Sequence, residues 1–434
     1  MQSGRVAYFF YNLIILPLLT LALRCAGLFH NKIRSGIQGR RELNERLTRK
    51  LAAFPKTKPR ILIHAASMGE YEQARPVIRL LRTKFPDHVL ILSVFSPSAF
   101  ENLDTTEADI LTYLPFDRIR EVRPFLDLVQ PRFLLFTRYD VWPNLVREAS
   151  RRGAYCVLFA ASLHEKSARR KWLIRQFSRA VHAHLDAICP ISEQAKNAMQ
   201  IFLSPQHKVV VCGDPRFDQV VYRARERDIA ELLPRSLLKN KQLFVAGSCW
   251  PEDEVVLLPA FCELKRGTAD AVLLLVPHEP TEAYISSAVR SCCNLNLSVS
   301  TLSQYDEKER SDVVIVDKVG ILANIYGAGI GAFVGGGFGP GVHSVIEAAA
   351  HSLPVLFGPR MRNSAEAIGM VEEGCGFIVE DEAMCRRYLF DIFHNAEFRQ
   401  KAAEQSRAFV AARTGAAENI IAVLPSELKN PDRA

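Results

Sequence analysis

Apolar residues along this chain gather in short unbroken runs, separated by longer stretches in which they recur with helical spacing. Residues 60–65 read RILIHA, and SMGEYEQARPVIRLLRTKF follows as a turn and an amphipathic helix. VLILSVF is a second run, and SPSAFENL opens another helix. Residues 111–116, 132–136, 155–160 and 187–190 repeat the pattern. Each run is apolar throughout and does not alternate. That is the mark of strands buried on both faces, as in a parallel sheet covered by helices. The pattern restarts after VVVCGDPRFD, with runs at 242–246, 271–276, 313–316, 331–334 and 354–357. Residues 383–424 read as a closing helical stretch that could cross back over the first half.

The expected fold is α/β: two Rossmann-like domains facing a cleft, preceded by an apolar N-terminal helix. The expected divisions are residues 1–54 for the apolar and basic arm, 55–215 for the first domain and 216–425 for the second. Sheets of this kind bind ligands beyond the C-terminal ends of their strands. Most polar motifs of the chain fall directly after a predicted strand.

The most informative of these motifs is residues 331–359, GAFVGGGFGPGVHSVIEAAAHSLPVLFGP. It predicts a strand, a glycine-rich loop containing Gly336 and Gly337, a helix N-terminus at His343 and Ser344, and a second strand. Such a loop allows backbone N–H groups to approach a ligand, and a helix N-terminus favours an anion. A phosphate or a sugar nucleotide fits, and a tight ligand-free turn fits the same spacing. The dinucleotide fingerprint is absent, because no G-x-G-x-x-G opens a helix with an acid about twenty residues on.

Charge changes the picture at one end only. The chain carries +8 overall, yet residues 1–60 hold twelve Lys or Arg against Glu42 and Glu45. The arm is therefore +10 and the remainder about −2, which argues against a nucleic-acid partner and for an anionic surface facing the arm. Within the arm, residues 6–23 are 18 positions without a charge, near the lower limit for crossing a bilayer. Positive charge after this segment predicts a body on the cytoplasmic side. A buried helix of a soluble domain is the other reading. The ten cysteines are irregularly spaced with no C-x-x-C pair, so free thiols are expected rather than a disulfide framework or a metal site.

Several polar residues carry two readings each. Ser67-x-x-Glu70 and Ser344-x-x-Glu347 are capping-box patterns, and both glutamates are also placed for chemistry at strand ends. Ser248 follows a strand and could meet a phosphate or simply turn the chain.

HAASMGE, YDVWPN, GDPRFD, AGSCWPEDE, VPHEP and the glycine-loop segment, with Asn363 downstream, together resemble the Kdo transferases of lipopolysaccharide synthesis. These are GT-B-fold glycosyltransferases that move 3-deoxy-D-manno-octulosonic acid (Kdo) from CMP-Kdo to a lipid A precursor, lipid IVA, with inversion. The resemblance runs over nearly the whole chain. It implies a cell inner membrane enzyme anchored at its N-terminus, facing the cytoplasm, with no cofactor and no metal. It implies Glu70 as the catalytic base, with Gly69 leaving room for the acceptor. It implies donor contacts from Arg216, Ser248, His278, Gly336, Gly337, His343, Ser344, Glu347 and Asn363. His278 stands where many members carry arginine. Arg138 stands where many carry an acid, while Asp140 keeps the second acid of that motif. Arg138 and Asp140 are assigned to the acceptor side. A related transferase using a UDP-sugar, or a non-catalytic nucleotide-binding membrane scaffold, are the alternatives.

Overall fold

The computed structural model describes residues 2–103, 107–163, 167, 171–204, 207–239, 241–307 and 310–425. Contacts divide them into two units: residues up to Gln219 together with those from Thr414 onward, and Val220–Arg413.

The first unit is built on seven strands: β1 (Arg60–His64), β2 (Val89–Val94), β3 (Ile110–Tyr113), β4 (Pro131–Thr137), β5 (Tyr155–Ala161), β6 (Ala187–Pro190) and β7 (Lys208–Val209). Their order is β3-β2-β1-β4-β5-β6-β7, and every pairing is parallel. The central strands are buried at every position in β1 and β2, which is why they appear in the sequence as unbroken apolar runs. Chain order reverses between β1 and β4, where His64 lies opposite Phe136. A crevice opens at such a reversal, and the loops leaving both strands line it. The first turn of the helix that follows β1 carries Glu70, and the loop after β4 carries Arg138 and Asp140.

The second unit repeats the plan with β8 (Gln242–Cys249), β9 (Ala271–Pro277), β10 (Val299–Thr301), β11 (Val313–Ile315), β12 (Gly329–Val334), β13 (Val355–Phe357) and β14 (Gly376–Ile378). The order is β10-β11-β9-β8-β12-β13-β14, again all parallel. Its reversal lies between β8 and β12. β8 runs three residues beyond the apolar run that announced it. Its register shifts between Ala246 and Cys249, and Ser248 sits there with a positive φ of 54°. β7, β10 and β14 are two or three residues long, too short to leave a periodic signal.

The closing helical stretch is three helices, Glu382–His394, Ala396–Ala411 and Ala416–Val423. The last belongs to the first unit. Asp218 accepts hydrogen bonds there from the N–H groups of Gly415 (2.6 Å) and Ala417 (2.8 Å), and Asn419 donates to the carbonyl of Cys212.

The apolar N-terminus is helical from Gln2 to Phe29, with a π turn at Tyr11–Ile15 between two α-helical segments. One side of it is tied to the first unit by polar contacts. Tyr8 donates to the carbonyl of Pro143 at 3.1 Å, and Tyr11 donates to Asp117 at 2.9 Å. The side-chain amides of Asn12 and Asn144 exchange hydrogen bonds, and Arg118 donates to the Thr20 hydroxyl. The opposite side is bare: Phe9, Leu18, Leu21 and Phe29 are 60%, 61%, 60% and 83% exposed. A π turn adds a residue to one helical turn and is frequent at functional sites; here it lies among the residues that dock the helix.

Asp117 is the centre of that docking. It is 1% exposed and accepts from Tyr11 and from the N–H groups of Asn144 and Leu145. Burial raises its pKa to about 7. Tyr11→Phe removes one of the three donors. The expected cost is about 1–3 kcal/mol of local stability, read as faster proteolysis at the N-terminal helix in detergent with the melting of the body little changed.

Candidate functional site

In the first unit the site is assembled from the turn after β1. Ser67 caps the helix Met68–Lys84 by accepting the Glu70 N–H. The Glu70 carboxylate turns back and accepts the N–H of Ala66 at 2.7 Å. Capping and a poised carboxylate are thus one arrangement. Glu70 is 6% exposed, and burial is the main reason its pKa rises to about 7. The Ala66 hydrogen bond and Arg138 oppose that rise, while the negative charge of Asp140 adds to it. Gly69 needs no glycine for the fold itself, since a Cβ there would meet nothing within 4 Å. The space beside Glu70 is open.

The loop after β4 supplies the other wall. Arg138 has a positive φ of 70°, lies exposed, and holds its guanidinium over the Tyr139 ring at 5.1 Å. Behind it lies a pair that sequence reasoning did not single out. The Trp142 indole N–H donates to Nε2 of His64 at 3.1 Å. His64 Nε2 must therefore be unprotonated, leaving Nδ1–H to donate to the carbonyl of Ser93. His64 is fully buried, and burial lowers its pKa to about 3. It is a neutral ring, so its 3.9 Å approach to Asp140 is not an ion pair. Trp142 also packs on Phe95, with ring centroids 4.9 Å apart. Its role in the structure is packing.

Arg216 lies in the first unit, where it grips Asp214 through Nε (2.9 Å) and Nη2 (2.7 Å). Asp214 also accepts from Gln73 at 2.9 Å. The GDPRFD motif is thus an internal ion pair of this unit.

In the second unit the glycine loop after β12 is organised by one buried acid. Asp253, fully buried, accepts from the N–H groups of Gly336 (2.7 Å), Trp250 (2.9 Å) and Phe338 (3.3 Å). Burial raises its pKa. Two of the loop amides expected to face a ligand are therefore donated to Asp253. The glycines answer to packing as well. A Cβ at Gly335 would fall on the carbonyl of Ser248, and one at Gly337 on the backbone of Gly358. Gly336 has a φ of 89°. Asn363 donates to the carbonyl of Val342 at 3.1 Å, which makes it a clamp on this loop.

The helix after the loop is a correction to the expected geometry. It covers only Ile346–Ala349, with Val345 at its cap and no side-chain capping bond. Ser344 is exposed and does not cap it. One helical turn carries little of the dipole that a longer helix would offer. Glu347 lies 3.7 Å from Arg223.

His278 and His343, two distant expected donor residues, are brought into contact. Their rings stack at 4.4 Å and 14°, and His278 stacks on Trp250 at 4.9 Å. The Trp250 N–H donates to Nε2 of His343 at 2.8 Å, which requires a neutral His343. Burial, followed by the proximity of His278, lowers the His343 pKa in keeping with this. Trp250 was visible only as a member of AGSCWPEDE.

Residues 41–219 match the family model described as 3-deoxy-D-manno-octulosonic-acid transferase (kdotransferase). The 3-deoxy-D-manno-octulosonic acid transferase of Rickettsia felis is 30% identical over 72% of this chain and 67% of its own. That of Chlamydophila psittaci is 27% identical over 79% of each. The chain belongs to the Kdo transferase family. It is a glycosyltransferase of lipopolysaccharide synthesis. A glycosyltransferase from Rickettsia africae superposes with a TM-score of 0.55 over 85% of this chain and 98% of its own, at 15% identity. That likeness bears on the fold alone: two parallel sheets of the GT-B type.

Two substitutions probe the buried acids of this family member. Glu70→Gln keeps the acceptor for Ala66 and removes the buried charge. The folded pKa lies above the unfolded value, so the charged form is what destabilises the fold, at pH above about 7. The variant should be more stable there by about 1–2 kcal/mol, with the gain shrinking as pH falls towards the unfolded carboxylate value. Melting scans across that range read it directly. Asp253→Asn instead points an amide N–H at loop amides that need an acceptor. It should cost about 2 kcal/mol or more, seen as a lower melting temperature.

Proposed function

We propose that this chain transfers Kdo from CMP-Kdo to the phosphorylated lipid A precursor lipid IVA, with inversion and Glu70 as the general base. The observation that carries the reading is the buried Glu70 carboxylate, raised to about 7 at the strand-order reversal of the first sheet. A base is most effective when its pKa lies near the working pH. The acceptor hydroxyl gives its proton to Glu70 as its oxygen bonds to the anomeric carbon of Kdo. The bond from that carbon to the CMP phosphate oxygen breaks, and CMP leaves with the electron pair. Gly69, Arg138 and Asp140 border the acceptor. Ser248, His278, Gly336, Gly337, His343, Ser344, Glu347 and Asn363 serve the donor. The CMP leaving group has one phosphate, so the reading needs no metal bridging a diphosphate.

The N-terminal helix is assigned to the cytoplasmic face of the inner membrane, lying in the interface rather than crossing it. Supporting this, an 18-residue window of the apolar stretch Val6–Phe29 has a mean hydropathy of 2.0 with 17% of it buried. Polar ties at Tyr8, Tyr11, Asn12 and Thr20 run along the other side. Pulling these groups and the arginines behind them through hydrocarbon would leave them without partners.

The test is Kdo transfer to lipid IVA in detergent with EDTA, with CMP-Kdo made in situ. Wild type should be active, with kcat/KM falling as pH drops below about 7. Glu70→Ala should lose about 10²–10⁴ of that activity while still folding and binding CMP. Full activity in Glu70→Ala would remove the base assignment. A folded wild type that binds no CMP would remove the donor.

A further inference from the structure

The first unit holds a concave feature that Glu70, Arg138 and Asp140 do not line, in the elbow between the apolar helix and the helix Asn31–Gln38. This open groove of roughly 640 Å³ is lined by Arg24, Arg34, Arg40, Arg41 and Arg118, with Glu121 as its single acid. Arg118 reaches Glu121 at 3.5 Å. Among the described residues no carboxylate pairs with the other four arginines.

These arginines differ in what holds them. Arg40 donates to the carbonyls of Gly36, Phe95 and Leu114 and is packed against the rings of Phe95, Tyr113 and Phe116. Burial pushes its pKa down only to about 10, so it stays charged at neutral pH. Arg34 donates to the carbonyls of Gly27 and Leu28, closing the end of the apolar helix. These partners fix the guanidiniums without neutralising them. Arg24 and Arg41 are exposed on the rim. A groove whose walls carry such an excess of positive charge is complementary to an anion.

The surroundings identify the anion's class. Leu23 and Leu28 line the same groove, and Leu28 is 68% exposed and continuous with Phe29. A phosphate attached to acyl chains satisfies both parts at once: charge in the elbow, hydrocarbon along the helix. We infer that this elbow is a binding site for the phosphate headgroup of an anionic bilayer phospholipid, distinct from the acceptor. It rests on the proposed interfacial placement of the N-terminal helix. Bound there, the lipid sets how deep and at what rotation the helix lies.

The experiment is binding of the full chain to vesicles free of any lipid A precursor. Phosphatidylcholine vesicles are compared with vesicles containing phosphatidylglycerol. Wild type should bind both and prefer the anionic ones. Arg24→Gln with Arg41→Gln should lose at least tenfold more of that preference than Arg49→Gln with Lys56→Gln, two exposed residues outside the groove. Among the described residues neither the Arg24 nor the Arg41 side chain makes a hydrogen bond that supports the fold, and unchanged melting of both variants checks this. Equal losses in the two pairs would mean diffuse charge and overturn the site. Wild-type binding with no anionic preference would overturn it while leaving the interfacial helix standing. Binding to neither vesicle would instead remove the helix placement and the site with it.

Discussion

A parallel sheet covered by helices on both faces leaves only the ends of its strands for chemistry, and both units obey this constraint. Within the first, the order reversal separates the loops after β1 and β4 and puts Glu70 on one side and Arg138 and Asp140 on the other. Within the second, it sets Ser248 at the end of β8 beside the loop after β12. The strands themselves hold almost nothing but apolar side chains. His64 is the telling exception, because it lies at the last position of β1 and is buried only as a neutral ring with both nitrogens engaged.

Burying a carboxylate is costly unless donors surround it, and three of the buried acids, Asp117, Asp253 and Glu70, meet that cost differently. Asp117 gathers the N-terminal helix and the start of the helix Pro143–Arg151. Asp253 gathers the glycine loop. Glu70 gathers only the Ala66 N–H. The difference in donor number separates their roles. Asp117 and Asp253 each take three hydrogen bonds and are at most 1% exposed, so their acceptor capacity is mostly spent and shielded. Glu70 takes one from its own turn, and the glycine beside it leaves open space. The least satisfied of the three acids is the one suited to accept a proton.

The sequence made some of this legible and hid the rest for physical reasons. Long apolar runs marked the central strands because complete burial leaves no polar alternation to misread. The shortest strands left no period. Glu70 stood out because a capping pattern places an acid at a strand end. Asp253 did not, although it sits in an equally recognisable turn, because what it accepts are backbone amides from a loop some eighty residues away. The glycine loop was read as a cradle for a ligand. Much of its glycine content answers instead to backbone packed on backbone at Ser248 and Gly358, a demand that spacing alone cannot distinguish. His278 and His343 were each placed near the donor, yet their stack with Trp250 depends on the β8–β12 pairing and has no local signature.

Arg138 shows how a single departure from a family pattern is absorbed. It takes a left-handed backbone conformation that costs a non-glycine residue about 1 kcal/mol or more, and its side chain lies over Tyr139 rather than in the interior. From there its charge acts on Glu70 against that of Asp140. With the two neighbours opposed, burial is left as the dominant influence on the Glu70 carboxylate. An acid at position 138 would add to Asp140 and hold Glu70 protonated to higher pH. The arginine therefore keeps Glu70 easier to ionise near neutrality than a pair of acids at positions 138 and 140 would. For the base role proposed for Glu70, an arginine at this position retunes the carboxylate and does not disable it.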